Sequence, residues 1–66
     1  MGRIRRGGYI FEWWIGDHPP RHIHVSDDKG RILGRIRLDP IEPVDEWQPS
    51  RKVIEITKQL QREGRL

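Results

Sequence analysis

Apolar and polar side chains alternate along three short stretches of the chain, which is the pattern of strands that bury one face. The first stretch, residues 8–15, is rich in aromatic and β-branched residues and lies between glycines. The second and third stretches are residues 22–26 and 31–38. Because successive side chains of a strand point to opposite faces, the pattern predicts three strands, each with an apolar and a polar face.

The segment between the second and third stretches predicts an antiparallel hairpin. Residues 27–30 read Asp-Asp-Lys-Gly, a polar turn that ends on glycine. A loop of this length places His22 opposite Arg35 and His24 opposite Leu33. The two histidines are therefore predicted to lie on the polar face of the hairpin.

The C-terminal part of the sequence predicts a loop followed by a helix. Two prolines within residues 39–49 favour a loop, with room for a short fourth edge strand. Residues 50–63 have the apolar period of an amphipathic helix, with Ser50 as its N-cap and Gly64 directly after its end. The predicted buried stripe of this helix consists of Val53, Ile56 and Leu60.

Together these elements predict an α+β fold in one small domain over residues 1–66. The sheet is expected to be a three-stranded antiparallel meander with the C-terminal helix packed on its apolar face. Tyr9, Phe11 and Trp13 are expected in the core, because a domain this small needs large aromatic side chains. One helix covers one face of a sheet, so the polar face is expected to stay in solvent.

Composition limits the partners that this domain can have. The 66 residues include 13 Lys and Arg, 10 Asp and Glu and no Cys, which gives a net charge of +3. A basic surface favours an anionic partner such as RNA. The N-terminal Arg3, Arg5 and Arg6 are candidates for contact with phosphate, but a solvated tail is the favoured interpretation. No long apolar run or signal-like segment is present, so we expect a cytoplasmic protein without a membrane partner. A core this small is marginal, which favours a partner protein or a homo-oligomer as a source of stability.

The candidate chemistry lies in a cluster of histidines. His18, His22 and His24 fall within seven residues, and the last two are spaced to share one face of a strand. One interpretation is a metal site of these three histidines, or of His22 and His24 with Glu12. Because a guanidinium opposite His22 is a poor neighbour for a cation, this interpretation is not favoured, and no cofactor is expected.

A second interpretation is metal-independent cleavage of RNA. His22, His24 and Glu12 are residue types that act as general base and general acid near neutral pH. Arginines on the same strands would contact the phosphate, and a tryptophan would stack on a base. These binding candidates are Arg35, Arg37, Arg21 and Trp14. A third interpretation is that the polar face is a solvated surface without chemistry.

Residues 17–25 carry the sequence Asp-His-Pro-Pro-Arg-His-Ile-His-Val, preceded by Arg-Gly-Gly-Tyr-Ile-Phe and followed by Ile-Arg-Leu at residues 36–38. With these motifs the chain resembles a family of short prokaryotic proteins known as domain of unknown function 4160, over about residues 4–62. The family motif reads Asp-His-x-Pro-Pro-His-x-His-Val, and the chain departs from it at Arg21, where the family has its second proline. The departure adds a positive charge beside the histidines.

The resemblance implies a component of a toxin–antitoxin-like gene pair, with this chain as the toxin-like partner and a small cognate protein beside it. We therefore expect a protein that acts on or binds RNA through its exposed face and, if it is an enzyme, a metal-independent ribonuclease. The alternatives are a non-enzymatic interaction module that uses Trp14, Leu33 or Ile54, and a His-x-His metal-binding domain.

Overall fold

The computed structural model describes residues 2–14, 21–38, 40–44 and 46–66, which form five strands and a helix. The strands form one antiparallel sheet in the order β1-β2-β3-β4-β5, so each strand pairs with its neighbours in sequence. The predicted α+β class is confirmed, but the predicted count of three strands is wrong. The elements are β1 (Gly2–Arg6), β2 (Tyr9–Trp13), β3 (His22–Asp27), β4 (Ile32–Arg37), β5 (Glu42–Val44) and α1 (Arg51–Arg62). In the described part of the chain, no helix is long and apolar enough to cross a membrane.

Strand β1 is an element that the sequence analysis missed. Its arginines were expected to form a tail, yet Gly2–Arg6 pairs along its whole length with β2. Gly7 and Gly8 join the two strands, and both have a positive φ, of 63° and 85°. A two-residue loop with two positive φ angles is the turn that matches the twist of a hairpin. The glycine pair is therefore a hairpin turn and not merely the boundary of a strand.

The register of the β3–β4 hairpin differs from the prediction. His22 lies opposite Arg37 and His24 lies opposite Arg35, two residues away from the predicted pairing. The register also shifts between Val25 and Ser26, where β4 contains one extra residue, Leu33. A shift of two residues preserves the faces, because side chains alternate with a period of two. Both histidines therefore still share a face with these arginines.

One residue of the shift comes from the bulge at Leu33, and the other comes from Asp27, which closes the turn. Its N–H donates to the carbonyl of Arg31 at 2.9 Å, and its Oδ1 accepts from the N–H groups of Lys29 and Arg31 at 3.0 and 2.9 Å. The loop is consequently residues 28–30, one residue shorter than predicted, and Gly30 takes a positive φ of 84° at its end. A three-residue loop that ends on such a glycine is a common hairpin connection.

Strand β5 lies within residues 39–49, which the sequence analysis assigned mainly to a loop. Glu42–Val44 pairs with Arg35–Arg37 of β4 and forms the short edge strand for which the prediction left room. Pro43 is tolerated there because an edge strand pairs on one side only.

Helix α1 matches its prediction to within one residue at each end. Ser50 is the N-cap, and its Oγ accepts a hydrogen bond from the N–H of Val53 at 3.2 Å. At the other end the N–H groups of Gly64 and Arg65 donate to the carbonyls of Gln61 and Leu60. Gly64 has a φ of 74°, so these two bonds form the capping motif that commonly ends a helix on glycine.

The core lies between α1 and one face of the sheet. Val53, Ile56 and Leu60 of the helix are buried, as the apolar stripe predicted. They form one cluster with Phe11, Ile23, Val25, Ile36 and Leu38 of the sheet side. Tyr9 and Trp13 are partly buried and pack against this cluster, so the expected aromatic core residues are confirmed.

Trp47 packs on the sheet at a position that only glycine leaves open. A Cβ at Gly34 would lie 2.4 to 2.7 Å from atoms of the indole ring. The indole Nε1 also donates to the carbonyl oxygen of Arg35 at 2.7 Å. The close approach and the hydrogen bond together fix the segment before α1 on strand β4.

Gly34→Ala is expected to destabilise the protein by about 1–3 kcal/mol, because the added methyl group overlaps the indole and displaces it from the Arg35 carbonyl. Urea unfolding measures the change. The same substitution in a Trp47→Leu background should cost less, since the overlapping ring is then absent. Equal costs in the two backgrounds would contradict this packing.

The Asp27 turn predicts a pH effect on stability. The backbone N–H of Arg31, followed by the guanidinium of Arg31 and the N–H of Lys29, holds the pKa of Asp27 below its ordinary value. A lowered pKa stabilises the folded state at neutral pH, and this stabilisation is lost as the pH falls below about 3.9. Asp27→Asn should therefore weaken the fall of the urea midpoint between about pH 5 and about pH 3. Asp28→Asn, the same charge change one residue later, is the control and should retain the wild-type fall.

Candidate functional site

The face of the sheet opposite α1, called the outer face here, carries the candidate residues. The registers place its side chains in rows that run across the strands. The central row is Arg3, Glu12, His24, Arg35 and Val44. On one side of it lies the row His22, Arg37 and Glu42, and on the other the row Arg5, Ile10, Ser26 and Ile32.

His24 lies in the middle of the central row. Glu12 of β2 is its Cα partner on one side, and Arg35 of β4 is its partner on the other. Directly opposite residues in an antiparallel sheet have Cβ atoms about 4.5–5.5 Å apart. A carboxylate, an imidazole and a guanidinium are thus adjacent. The sequence analysis grouped Glu12 with the histidines without a register and placed Arg35 opposite the other histidine.

The rings of His22 and His24 lie side by side on β3. Their centroids are 5.3 Å apart and their planes are inclined by 52°. Trp14 meets His24 edge-on, with centroids 4.6 Å apart and an interplanar angle of 85°. Trp14 is 41% exposed, so part of the indole surface stays open to solvent beside the two imidazoles. Trp14 and both histidines therefore lie on one face of the sheet.

Arg37 is the partner of His22 across the β3–β4 pair. Its Nη1 lies 3.4 Å from Oε1 of Glu42 on β5, and both side chains are about half exposed, at 43% and 49%. Its Nε is buried and has no hydrogen-bond partner within the described part of the chain. The guanidinium of Arg37 is therefore partly exposed, and its Nε donor is not used within the described residues. Glu42 is a neighbour that the sequence analysis did not assign to the site.

Arg21 comes directly before β3 and is exposed. Its carbonyl oxygen accepts a hydrogen bond from the N–H of Leu38 at 2.8 Å, which joins the two strands at this end of the hairpin. His18 lies outside the described residues, so the structure does not place it. Among the residues that are described, no group of three or more His, Cys, Asp and Glu side chains is arranged to hold a metal ion.

The alternative interaction residues lie in different surroundings. Leu33 is 39% exposed at the bulge of β4, and its neighbour Ile32 is 80% exposed. Ile54 instead packs against the core cluster and is only partly accessible. The apolar exposure of the outer face is therefore concentrated at Trp14 and at the start of β4.

Arg3 and Arg5 belong to a strand of the outer face that sequence reasoning missed. Both are exposed on β1, in the rows that contain Glu12 and Ile10. Two signals in the sequence were sufficient to find them. The pair Gly7-Gly8 lies between two stretches with strand character, and Ile4 alternates with the two arginines. Arg6 points to the other face and pairs with Glu63 after α1, at 2.9 Å.

Comparisons with known proteins identify no relative of this chain: no family model matches it, and neither a curated protein nor a solved structure does.

Proposed function

We propose that the outer face binds single-stranded RNA and cleaves it without a metal ion, with His22 and His24 as general base and general acid. The observation that carries this proposal is the pair of imidazoles 5.3 Å apart, each with an arginine as its cross-strand partner. Two rings this close can each form a hydrogen bond to an oxygen of one phosphodiester group that lies against the edges of both. The two guanidiniums belong to the cross-strand partners of these rings and would stabilise charge that develops on the phosphate.

The reaction that suits these groups uses the 2′-hydroxyl of the RNA as the nucleophile. The neutral imidazole takes the proton of this hydroxyl, and its oxygen attacks the adjacent phosphorus. The bond from phosphorus to the 5′-oxygen of the next nucleotide breaks, and the protonated imidazole gives its proton to that oxygen. The products are a 2′,3′-cyclic phosphate and a free 5′-hydroxyl. One imidazole has gained a proton and the other has lost one, so the reaction needs no cofactor.

The surroundings of the histidines favour an anionic ligand with unstacked bases. Trp14 leaves an accessible aromatic surface next to His24, and stacking on such a surface requires a base that is free of its own duplex. Arg35 and Arg37 are planar donors that match phosphate oxygens in pairs. Arg21 adds positive charge at the start of β3. Glu12 adjoins His24 and is a further candidate for orienting its imidazole or moving a proton.

The biological role that we propose follows the family resemblance. A small RNA-cleaving protein with a basic face is suited to be the toxin-like partner of a toxin–antitoxin-like pair, held inactive by a small cognate protein. The exposed Trp14 and Leu33 support such a partner, because large apolar side chains exposed on a surface favour protein contacts.

His22→Gln and His24→Gln are each expected to lower the rate of RNA cleavage by about 10²–10⁴-fold, the usual contribution of a general acid or base. Gel analysis of a labelled single-stranded RNA measures the rate, and the products should end in a cyclic phosphate. A substrate with a 2′-deoxy sugar at the cleaved position should remain intact, and a chelator should have no effect. Lys58→Gln, on the exposed side of α1, is the matched control for folding.

Three results would contradict this assignment. Cleavage that persists in a folded His22→Gln/His24→Gln variant would exclude the histidines. Cleavage that a chelator abolishes and zinc restores would favour the metal-binding alternative. RNA binding by the wild type without any cleavage would leave the face as a binding surface and remove the catalytic role.

In cells, expression of the wild-type chain without its cognate partner is expected to inhibit bacterial growth, since it degrades RNA. The His22→Ala/His24→Ala variant should relieve the inhibition at the same protein level, with Lys58→Gln again as the control. Colony counts and immunoblots measure the two quantities. A soluble, folded double variant that inhibits growth as strongly as the wild type would refute the proposed toxin-like mechanism.

A further inference from the structure

Strand β1 brings two arginines onto the outer face at the edge farthest from β5. Arg3 lies in the central row, which continues through Glu12 and His24 to Arg35. Arg5 lies in the neighbouring row, opposite Ile10. Both arginines are exposed, and the guanidinium of Arg5 reaches the hairpin loop, where Nη2 donates to the carbonyl of Asp28 at 3.3 Å.

The distance between the two ends of the central row is large compared with a single phosphodiester group. Neighbouring strands lie about 4.8 Å apart, so Arg3 and Arg35 are separated by about 14 Å across the sheet. The histidines lie between these ends and closer to Arg35. A ligand whose reacting phosphate lies at His22 and His24 must extend across β2 to reach the arginines of β1.

The charges on the outer face favour such an extended anion. Its positions on the described strands hold four arginines, namely Arg3, Arg5, Arg35 and Arg37, and two carboxylates, Glu12 and Glu42. Four positive and two negative charges leave a net of +2 with neutral histidines. Glu42 lies beside Arg37. Glu12 is the Cα partner of Arg3, and the guanidinium of Arg5 contacts the backbone of Asp28.

We propose that the bound RNA is a single strand that crosses the sheet at right angles to the β-strands, with Arg3 and Arg5 binding the phosphates that follow it over β1. This inference rests on the proposed function for the position of the reacting phosphate at the histidines. It adds the direction and the minimum length of the ligand. Arg3 and Arg5 contact phosphates away from the reacting atoms and therefore act in binding and not in the chemical step.

The experiment compares ligand length and salt dependence. The variant Arg3→Gln/Arg5→Gln is measured against the wild type with a single-stranded oligoribonucleotide of about eight nucleotides and with a dinucleotide. The control Lys58→Gln/Arg62→Gln removes the same charge from the exposed side of α1, where basic residues are also abundant. Substrates with 2′-deoxy sugars prevent cleavage during the binding measurement.

We expect the variant to bind the longer ligand about tenfold more weakly, with a loss that exceeds the loss for the dinucleotide. The slope of log affinity against log salt should become shallower by about 1.4, because each lost phosphate contact on a single strand contributes about 0.7. Arg3→Lys/Arg5→Lys should retain the slope, since it keeps both charges. Circular dichroism confirms that all variants are folded.

Three outcomes would overturn the inference. Wild-type protein that binds RNA while Arg3→Gln/Arg5→Gln behaves like the helix control would place the ligand elsewhere and leave the proposed function intact. An equal loss for the dinucleotide and the longer ligand would contradict the crossing direction. Wild-type protein that binds neither ligand would refute the proposed function together with this inference.

Discussion

The packing of α1 against one face of the sheet is the constraint on which the rest of the structure depends. The helix contributes a narrow apolar stripe, Val53, Ile56 and Leu60, which packs against side chains from the central strands of the sheet. Burying a side chain such as Leu60 or Ile23 contributes about 1.5–3 kcal/mol relative to leaving it exposed. A helix of 12 residues covers one face of a sheet this size. Side chains alternate along each strand, so every apolar residue on that face fixes a neighbour on the outer face.

The position of β3 in the centre of the sheet follows from this constraint. Ile23 and Val25 are fully buried beneath α1. Along β3 they alternate with His22 and His24. Burial of the two aliphatic side chains therefore determines that both histidines face outward. Pairing with β2 and β4 then places Glu12 and the arginines beside them. The outer-face arrangement is thus a consequence of core packing.

The same logic explains how much of this protein the sequence predicts. The apolar stripe of α1, its caps and the alternation in β2, β3 and β4 each involve neighbours in sequence, and the structure confirms them. The cross-strand partner of His22 was predicted wrongly. The observed partner, Arg37, depends on the Asp27 hydrogen bonds and on the bulge at Leu33. Neither feature has a regular sequence pattern. The prediction of which side chains share a face was still correct, because the register was displaced by two residues.

Strand β1 illustrates a different reason for failure. Its residues are mostly basic, and composition alone favoured a solvated tail over a strand. An edge strand, however, pairs on one side only and is commonly protected by charged side chains. The structure uses the arginines in this way and ties the hairpin to the helix end through Arg6 and Glu63. Such an exposed ion pair contributes little free energy, so the pairing with β2 and the contact of Ile4 with the core hold the strand.

The surroundings of His22 and His24 favour an anion over a divalent cation. Each has an arginine as its cross-strand partner, and a guanidinium opposite an imidazole raises the cost of placing a divalent cation there. The same guanidinium lowers the cost of placing a phosphate there. The corrected register strengthens this argument, since the predicted register gave an arginine to His22 alone.

The outer face and the core are also separable in energetic terms. The side chains of His22, His24, Arg35 and Arg37 lie outside the buried cluster that holds the sheet to α1. The hydrogen bond that fixes Trp47 here uses backbone, because the indole donates to the carbonyl oxygen of Arg35 and not to its guanidinium. Replacing the polar side chains therefore leaves the hydrogen bond and the packing over Gly34 in place. Substitutions of these side chains therefore test the outer face while the core cluster and the Trp47 anchor stay unchanged.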